Sequence, residues 1–279
     1  MNDISIIIVS YYTSKVIFEC IDSCKALNGI KEIIIVNNGN PEDDLRSLKE
    51  LATQDIIKLV DGHGNIGFSK GCNLGASIAA GNYFLFMNPD CYTHDIDFAF
   101  KLKNALIGQK EYWFATSVIY NSDGSIQQTC RRNLINFSNA VIQSFGLDKF
   151  GFTGINRNVS EIDLLPEISP LEAFSGALFM CDKHRFYQIG ALSEEYFLHV
   201  EDMDLCMKIN RAGGKICFIK SAKIYHYLST SKTTKRFLEE HKARGFIIYL
   251  NKFFPWTRFW AIRYTIYLGI WLRYYIKSL

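Results

Sequence analysis

The sequence lacks the features that mark several large classes of protein. Its N-terminus, MNDISIIIVSYY, has an acid and no basic cluster ahead of its apolar run, so we expect no secretory signal peptide. Its eight cysteines form no CxxC pair and no evenly spaced framework, which favours reduced thiols of a cytosolic protein. It has no internal repeat and no low-complexity linker. With 48% hydrophobic and 21% charged residues, the 279-residue chain can bury a substantial core.

The C-terminal segment FFPWTRFWAIRYTIYLGIWLRYYIKSL (253–279) lacks an apolar run long enough to cross a bilayer. Its longest stretch without a charge, 264–272, is nine residues, whereas a spanning helix needs ~20. Ten of its 27 residues are aromatic and four are basic. This composition predicts an amphipathic helix in the headgroup layer of a membrane. The alternative is a final helix that packs on the protein body or in a dimer interface.

The net charge of +3 hides an uneven distribution. Residues 232–279 carry ten Lys or Arg and two Glu, a net charge of +8, so the rest of the chain has −5. We therefore divide the chain into a body, residues 1–231, and a basic aromatic helical extension, residues 232–279. An acidic body with a basic extension indicates an anionic surface as partner. No nucleic-acid partner is expected, because the basic charge is confined to an apolar aromatic tail.

Apolar runs alternate with helical patterns along the first ninety residues. The predicted strands are ISIIIVS (4–10), KEIIIVN (31–37), DIIKLV (55–60) and NYFLFM (82–87). Strands that alternate with helices predict an α/β fold with a mostly parallel sheet and right-handed crossovers. In such sheets, ligands bind beyond the carboxyl ends of the strands.

Beyond residue 120 the pattern weakens and then returns. NSDGS (121–125) predicts a turn, and GFTGINRN (151–158) a mobile loop. EAFSGALFMCD (172–182) predicts a strand that ends in a helix-capping aspartate. A further helix is expected to begin at Glu201-Asp202 and to end at Gly213-Gly214.

Three short stretches carry the polar residues of interest. FLFMNPDCY (84–92) ends its apolar run at an Asn-Pro-Asp sequence; proline cannot donate to a strand ladder, so Asp90 is expected at the ligand-binding edge. HVEDMDLCMKINRAGG (199–214) has three carboxylates in four residues at a helix start, which the helix dipole alone would favour. KIYHYLSTS (223–231) ends an alternating segment with His226, although a lone histidine is more often packed than ligating.

Together these residues suit the transfer of a sugar from a nucleoside diphosphate. A divalent cation, Mg²⁺ or Mn²⁺, would neutralise the departing diphosphate, and Asp90 and His226 could be its protein ligands. A separate carboxylate, Glu201 or Asp202, could accept the proton of the attacking hydroxyl.

The glycine loop GHGNIG (62–67) supports an alternative. It matches GxGxxG, follows a strand and opens a helix, and Asp90 ends the next strand 23 residues beyond Gly67. This pattern is typical of NAD-dependent oxidoreductases. However, the loop follows the third predicted strand rather than the first, and a proline directly precedes the acid.

In its ordered set of motifs the chain resembles the inverting glycosyltransferases of family 2, which have the GT-A fold. More closely, it is similar to the bacterial rhamnosyltransferase-like branch that builds surface polysaccharides such as O-antigen. The matching stretches are IIIVSYYTS, IIIVNNGN, NIGFSKGCNLGA, FLFMNPDC, FSGALFMCDKHRFYQIGALSEEYFLHVEDMDLCMKINRAGGKI and AKIYHYLSTS. They span residues 4–231. The resemblance implies a Rossmann-like, mostly parallel sheet flanked by helices.

The resemblance also implies roles for individual residues. Asp90 would hold the metal in the place of the DxD motif, and His226 would complete the metal site or contact the diphosphate. Asp202 would be the catalytic base, with Glu201 orienting the acceptor or the base. The residues implied at the nucleotide-sugar are Ser10, Tyr12, Asn37, Asn65, Gly67, Lys70 and Asn88, and those implied at the acceptor are Phe174 and Gly176.

Asn37 is the one clear departure from the family pattern. The family usually has an acid there that accepts a hydrogen bond from the pyrimidine N3–H, and an asparagine can still accept through its carbonyl oxygen.

The resemblance implies an inverting displacement with dTDP-rhamnose as the favoured donor and galactofuranosyl or hexosyl donors as alternatives. The implied acceptor is a glycan on a polyprenyl diphosphate, at the cytoplasmic face of the inner membrane. A sugar-binding protein derived from an inactive transferase is disfavoured, since Asp90, Glu201 and Asp202 are all present.

Overall fold

The computed structural model describes most of the chain. The described residues are 2–13, 15–54, 56–136, 162–227, 233–255 and 259–278. The turn predicted at 121–125 is confirmed: Asn121 N donates to Ser125 O (2.7 Å), and Gly124 has a positive φ of 80°. The loop predicted at 151–158 lies outside the described residues.

Strands and helices alternate through the first half of the chain, as predicted. The strands are β1 (Ile4–Ser10), β2 (Ile30–Asn37), β3 (Ile57–Val60), β4 (Tyr83–Met87), β5 (Cys91–Tyr92), β6 (Tyr112–Tyr120), β7 (Ile168–Leu171), β8 (Leu178–Asp182) and β9 (Lys215–His226). The α-helices of the described residues are α1 (Val16–Lys25), α2 (Glu42–Leu51), α3 (Phe68–Ile78), α4 (Phe98–Gly108), α5 (Lys183–Gln188), α6 (Glu201–Arg211), α7 (Lys235–Phe253) and α8 (Trp260–Ser278).

The strands form one mixed sheet in the order β3-β2-β1-β4-β8-β6-β9-β5, with β7 paired to β9. The predicted parallel arrangement is confirmed for β3, β2, β1 and β4. Beyond β4 the sheet is not mostly parallel, because β8 runs antiparallel to both β4 and β6. The start of β8 and the end of β9 therefore reach the edge at which β1 to β4 end.

The central strands are apolar along their whole length because both faces of the sheet are covered. Ile33 and Ile35 of β2 pack with α1 and α4, whereas Ile34 and Val36 pack with α3 on the opposite face. Successive side chains of a strand point to opposite faces of the sheet, so a strand that is buried on both faces is apolar at every position. A continuous run of isoleucines therefore predicts such a strand.

The strand expected over 172–182 is shorter in the structure. β8 begins only at Leu178, because Ala173 exchanges backbone hydrogen bonds with Arg132 (3.0 and 2.9 Å) outside the sheet. The helix-capping role of Asp182 is confirmed, since its side chain accepts from Arg185 N (3.0 Å). α6 begins at Glu201 as predicted, and Gly213, with a φ of 80°, follows its end.

The C-terminal extension contributes two helices. The inner face of α7 packs into the same core cluster as α6, through Phe246, Tyr249 and Leu250. On α8, Ile266 and Ile270 are buried while the opposite face is exposed. Within the described part of the chain, no helix is long and apolar enough to cross a membrane.

We expect the packing of α3 on the sheet to be intolerant of one added methyl group. A Cβ at Gly75 would lie 2.6 Å from Ile7 Cγ2 and 3.2 Å from Val36 Cγ2. Gly75→Ala should therefore lower the free energy of unfolding by about 1–2 kcal/mol in urea titrations, because overpacking outweighs the gain in helix propensity. Gly108→Ala in α4, where a Cβ meets no atom within 4 Å, is the control and should cost nothing. Equal stability of the two variants would contradict this packing.

Candidate active site

Asp90 and His226 form a buried pair at the edge of the sheet. Asp90 follows β4 and His226 ends β9, and the two are brought together because Cys91 pairs with His226 in the antiparallel β5–β9 ladder. His226 Nε2 lies 3.0 Å from Asp90 Oδ1, and both side chains are 8% exposed. Asn88 Nδ2 lies 3.4 Å from the same ring nitrogen. Three polar residues predicted from the sequence thus converge on one point.

Gln127 holds the other side of the His226 ring. Its Nε2 donates to His226 O (3.3 Å) and lies 3.2 Å from His226 Nδ1, and its Oε1 lies 3.3 Å from the same ring nitrogen. When Nδ1 carries the proton and donates to Oε1, Nε2 is left with its lone pair facing Asp90, as a metal ligand requires. Gln127 was not predicted from the sequence, since nothing in the sequence links it to a strand end 99 residues later.

The donor atoms at this point fit a hard divalent cation. Ligand atoms of Asp90, Cys91 and His226 lie within 4.8 Å of one another. Burial raises the pKa of Cys91 well above its usual value, so its sulfur stays a thiol, directed at Ala177 O. A carboxylate oxygen and an imidazole nitrogen remain, and these are ligands that Mn²⁺ accepts.

A cavity of about 390 Å³ opens beside the pair. It runs from the ends of β1 and β2 to the first turn of α7. Its polar wall includes Tyr11, Thr13, Asn65, Asn88, Asp90 and His226. The expected ligand-binding edge of the sheet therefore carries a pocket at the predicted carboxylate.

Asp202 lies at the start of α6 in a dense set of hydrogen-bond donors. Arg132 forms an ion pair with its Oδ2, Gly176 N donates to the same oxygen (3.0 Å), and Met203 N donates to Oδ1 (2.7 Å). Burial opposes ionisation, but the charge and hydrogen bonds of Arg132 outweigh it, so the pKa of Asp202 falls below its ordinary value. Asp202 is therefore a carboxylate at neutral pH.

The pKa of the neighbouring Glu201 is shifted in the opposite direction to that of Asp202. Burial first, and then the charge of Asp202, raise the pKa of Glu201 to about 8. Its Oε2 is buried and has no hydrogen-bond partner. Glu201 is thus a neutral acid at pH 7, able to donate a hydrogen bond.

The residues just before β8 connect the Asp90–His226 pair with Asp202. Asn88 N donates to Ala177 O (2.9 Å), and the adjacent Gly176 N binds Asp202. A Cβ at Gly176 would lie 3.4 Å from Asp202 Cβ, so the glycine permits a close approach, although to the carboxylate rather than directly to a substrate.

Several of the other predicted positions lie differently from expectation. The hydroxyl of Ser10 is fully buried against Thr13 and Asn40, and Tyr12, which has a positive φ of 51°, does not line the cavity. Their neighbours Tyr11 and Thr13 line it instead. The Phe174 ring is stacked in the core on Phe179 (4.9 Å), and its carbonyl accepts from Arg132.

The end of the glycine loop, at Gly67, packs closely against Phe197. Asn65 and Gly67 line the cavity, as expected, whereas Lys70 is exposed and does not. Gly67 N donates to Asn65 Oδ1 (3.0 Å), and Phe68 N, at the start of α3, donates to Phe197 O (2.8 Å). A Cβ at Gly67 would lie 2.7 Å from Phe197 O. The backbone amides of Gly67 and Phe68 are therefore used within the protein.

The chain belongs to the family described as glycosyl transferase family 2, whose model matches residues 5–150. This is the family that the ordered motifs predicted. The NAD-dependent alternative raised by GHGNIG is set aside by this membership.

Three curated relatives are between 23% and 28% identical to this chain over the residues that align. The N-acetylglucosaminyl-diphospho-decaprenol L-rhamnosyltransferase of Mycobacterium tuberculosis is 28% identical over 105 residues, which are 36% of this chain and 34% of the relative. The low-salt glycan biosynthesis hexosyltransferase Agl10 of Haloferax volcanii is 23% identical over 76% of this chain and 62% of its own length. Rhamnosyltransferase WbbL of Escherichia coli is 23% identical over 52% of each chain. The chain therefore spans between a third and 62% of these relatives.

Solved structures share the fold. GalNAc-T7 with UDP, GalNAc and Mn²⁺ matches with a TM-score of 0.64 at 15% identity, over 83% of this chain and 44% of that one. The mannosyltransferase PcManGT of Pyrobaculum calidifontis, with GDP-Man and Mn²⁺, matches with a TM-score of 0.61 at 12% identity. The match covers 90% of this chain and 63% of PcManGT. These similarities establish the GT-A fold that the sequence predicted.

We expect the Arg132–Asp202 pair to stabilise the fold in a pH-dependent way. Because the pKa of Asp202 is lowered on folding, the pair stabilises above the unfolded-state pKa and loses this contribution as the pH falls through the folded-state pKa. Arg132→Met should cost about 3 kcal/mol near pH 7, since it leaves a buried carboxylate unpaired.

Urea unfolding at about pH 7 and about pH 4 measures this effect. The loss should be smaller at the lower pH, and Arg132→Met/Asp202→Asn should recover part of it. An equal loss at both pH values would assign the effect to packing of the arginine side chain instead of its charge.

Proposed function

We propose that this chain transfers a sugar from a nucleoside diphosphate to a hydroxyl group with inversion of the anomeric centre. The observation that carries the proposal is the arrangement of two neighbouring carboxyl groups: Asp202 is held by Arg132 and two backbone amides, and Glu201 is buried with Oε2 unpaired. Both lie at the sheet edge that also holds Asp90 and His226. Neighbouring carboxyl groups with pKa values pushed apart are typical of acid–base sites.

The two carboxyl groups divide the work. Asp202 accepts the proton of the acceptor hydroxyl as its oxygen bonds to the anomeric carbon. The bond from that carbon to the diphosphate oxygen breaks on the opposite face, and the electron pair leaves with the diphosphate. Glu201, as a neutral acid, donates a hydrogen bond that orients the acceptor or the base. A divalent cation bound at Asp90 and His226 would supply positive charge for the leaving diphosphate.

Rhamnose from dTDP-rhamnose is the donor we favour. Two of the relatives are named rhamnosyltransferases, and the motif resemblance points to the same branch. The hexosyltransferase name of a third relative supports a hexosyl donor as the alternative, and a galactofuranosyl donor rests on the resemblance alone. The acceptor we propose is a glycan on a polyprenyl diphosphate, in the synthesis of a bacterial surface polysaccharide.

A membrane surface is the proposed partner of the extension, residues 232–279. The large apolar residues exposed on or next to α8 are Phe259, Trp260, Ile262, Tyr264, Leu268, Trp271, Leu272, Tyr275 and Ile276. Most of them recur at helical spacing, so they share one face without a charge, and Arg263, Arg273 and Lys277 are half-buried beside it. An apolar aromatic face with basic flanks suits the headgroup layer of an anionic membrane, at its cytoplasmic side.

Donor and metal binding test the transferase proposal. Thermal unfolding should show stabilisation by dTDP-rhamnose with Mn²⁺ that chelator removes, and Asp90→Ala should abolish it because the ion loses its carboxylate. Asp202→Asn should keep this stabilisation and lower kcat by about 10²–10⁴-fold. Normal turnover in Asp202→Asn, with loss of turnover in Glu201→Gln, would transfer the role of base to Glu201.

Vesicle binding tests the role of α8. Leu268→Glu/Leu272→Glu should weaken binding to vesicles with anionic lipid by at least about tenfold, because two apolar side chains lose their burial. The matched control is Ile107→Glu/Leu164→Glu, which alters leucine and isoleucine side chains exposed elsewhere on the body. Unchanged vesicle binding together with a lower self-association constant, from sedimentation, would make the face a dimer interface.

A further inference from the structure

The side-chain oxygen of Asn37 accepts hydrogen bonds within the turn that follows β2. Its Oδ1 accepts from Asn40 N (2.9 Å), Asn40 Nδ2 (2.8 Å) and Gly39 N (3.3 Å). Two of these donors are backbone amides, so the oxygen of the side-chain amide must face them, and its orientation is fixed. The carbonyl oxygen that could have accepted a hydrogen bond from a nucleobase is therefore already occupied.

The other end of the Asn37 amide is directed at Asp61. Asn37 Nδ2 donates to Asp61 Oδ1 at 2.8 Å. This hydrogen bond above all, and further a backbone amide of Gly62 and the charge of Lys49, lower the pKa of Asp61, so it is a carboxylate. Its Oδ2 lies 3.7 Å from the ammonium of Lys49, and the Asp61 side chain is 30% exposed. An ionised oxygen at the end of β3 thus remains open to a ligand.

A hydrogen-bond network fixes this carboxylate relative to the donor cavity. Asn40 Nδ2, which binds Asn37, also donates to Ser10 Oγ (2.8 Å), and Asn40 Oδ1 accepts from Thr13 N (3.3 Å). Thr13 lines the cavity. A Cβ on Gly39, in the same turn, would lie 3.9 Å both from Asn65 N and from the Tyr11 ring, two further residues of the cavity wall.

We propose that Asp61 accepts a hydrogen bond from a ring N–H of the donor's nucleobase, with Asn37 as the positioning residue that orients it. A carboxylate can only accept. Thymine and uracil present N3–H and guanine presents N1–H, whereas cytosine and adenine present an unprotonated ring nitrogen at the corresponding edge. Asp61 would therefore select thymidine, uridine or guanosine diphosphate sugars over cytidine and adenosine ones. This inference rests on the proposed function.

Titration calorimetry of the full chain with dTDP, GDP, CDP and ADP, each with Mn²⁺, tests the inference. Wild type should bind dTDP or GDP at least about tenfold more tightly than CDP and ADP, because a mismatched edge leaves a polar group unpaired. Asp61→Asn should lose this preference through weaker binding of the preferred nucleotide, while its CDP affinity, which also reports correct folding, stays within about twofold. Asn37→Ala should reduce the preference in the same direction.

Asp43→Asn, which neutralises a 94% exposed acid of α2, is the matched control and should keep the preference. A preference for CDP or ADP in wild type, or an undiminished preference in Asp61→Asn, would overturn the role of Asp61 and leave the transferase proposal standing. If wild type binds none of the four, the proposed function fails and this inference with it.

Discussion

The partly buried contact between Arg132 and Asp202 is the interaction on which the geometry of the site depends. Arg132 pairs with Ala173 through its backbone and with Phe174 O and Asp202 through its side chain. One residue thus joins the segment after β6, the approach to β8 and the start of α6. Because Ala173 pairs with Arg132 rather than with a strand of the sheet, β8 begins late and Gly176 N is left to bind Asp202. Breaking the pair would therefore disturb both the charge and the path of the chain around the base.

The same contact decides which of two adjacent carboxyl groups is ionised. Two carboxylates that are both buried and adjacent repel each other, so only one readily keeps its charge. Arg132 and two backbone amides select Asp202, while Glu201 has an orphan oxygen and a pKa of about 8. Three donors make Asp202, the proposed base, a weak base, but they keep it ionised near neutral pH. Its neighbour stays available as a hydrogen-bond donor, and a substrate hydroxyl is well suited to fill the place beside the orphan oxygen.

Features that depend on local sequence patterns are predicted well. Features that depend on contacts between residues far apart in the sequence are predicted poorly. The isoleucine runs of β1 and β2, the Asp182 cap and the position of Asp90 at the ligand-binding edge follow from periodicity, capping and the parallel topology of β1 to β4. The approach of His226 to Asp90 depends instead on the antiparallel pairing of β5 with β9. The antiparallel placement of β8 depends on long-range pairing, and it shortened the strand expected from residue 172. Gln127, Arg132 and the saturated oxygen of Asn37 depend on contacts across 42 to 99 residues or on a turn's detailed path, for which one sequence carries no signal.

The extension bears on the site as well as on the proposed membrane surface. His199 and Val200, directly before Glu201, both have positive φ values (67° and 72°), a conformation that costs about 1–3 kcal/mol for each non-glycine residue. Gly245 of α7 packs on them so closely that a Cβ would lie 3.0 Å from His199 O. Lys252 of α7 also binds Asp204 of α6 (2.7 Å), whose side chain is fully buried. Since α8 packs on α7, a membrane that holds α8 would lie two helices away from Asp202, the proposed base.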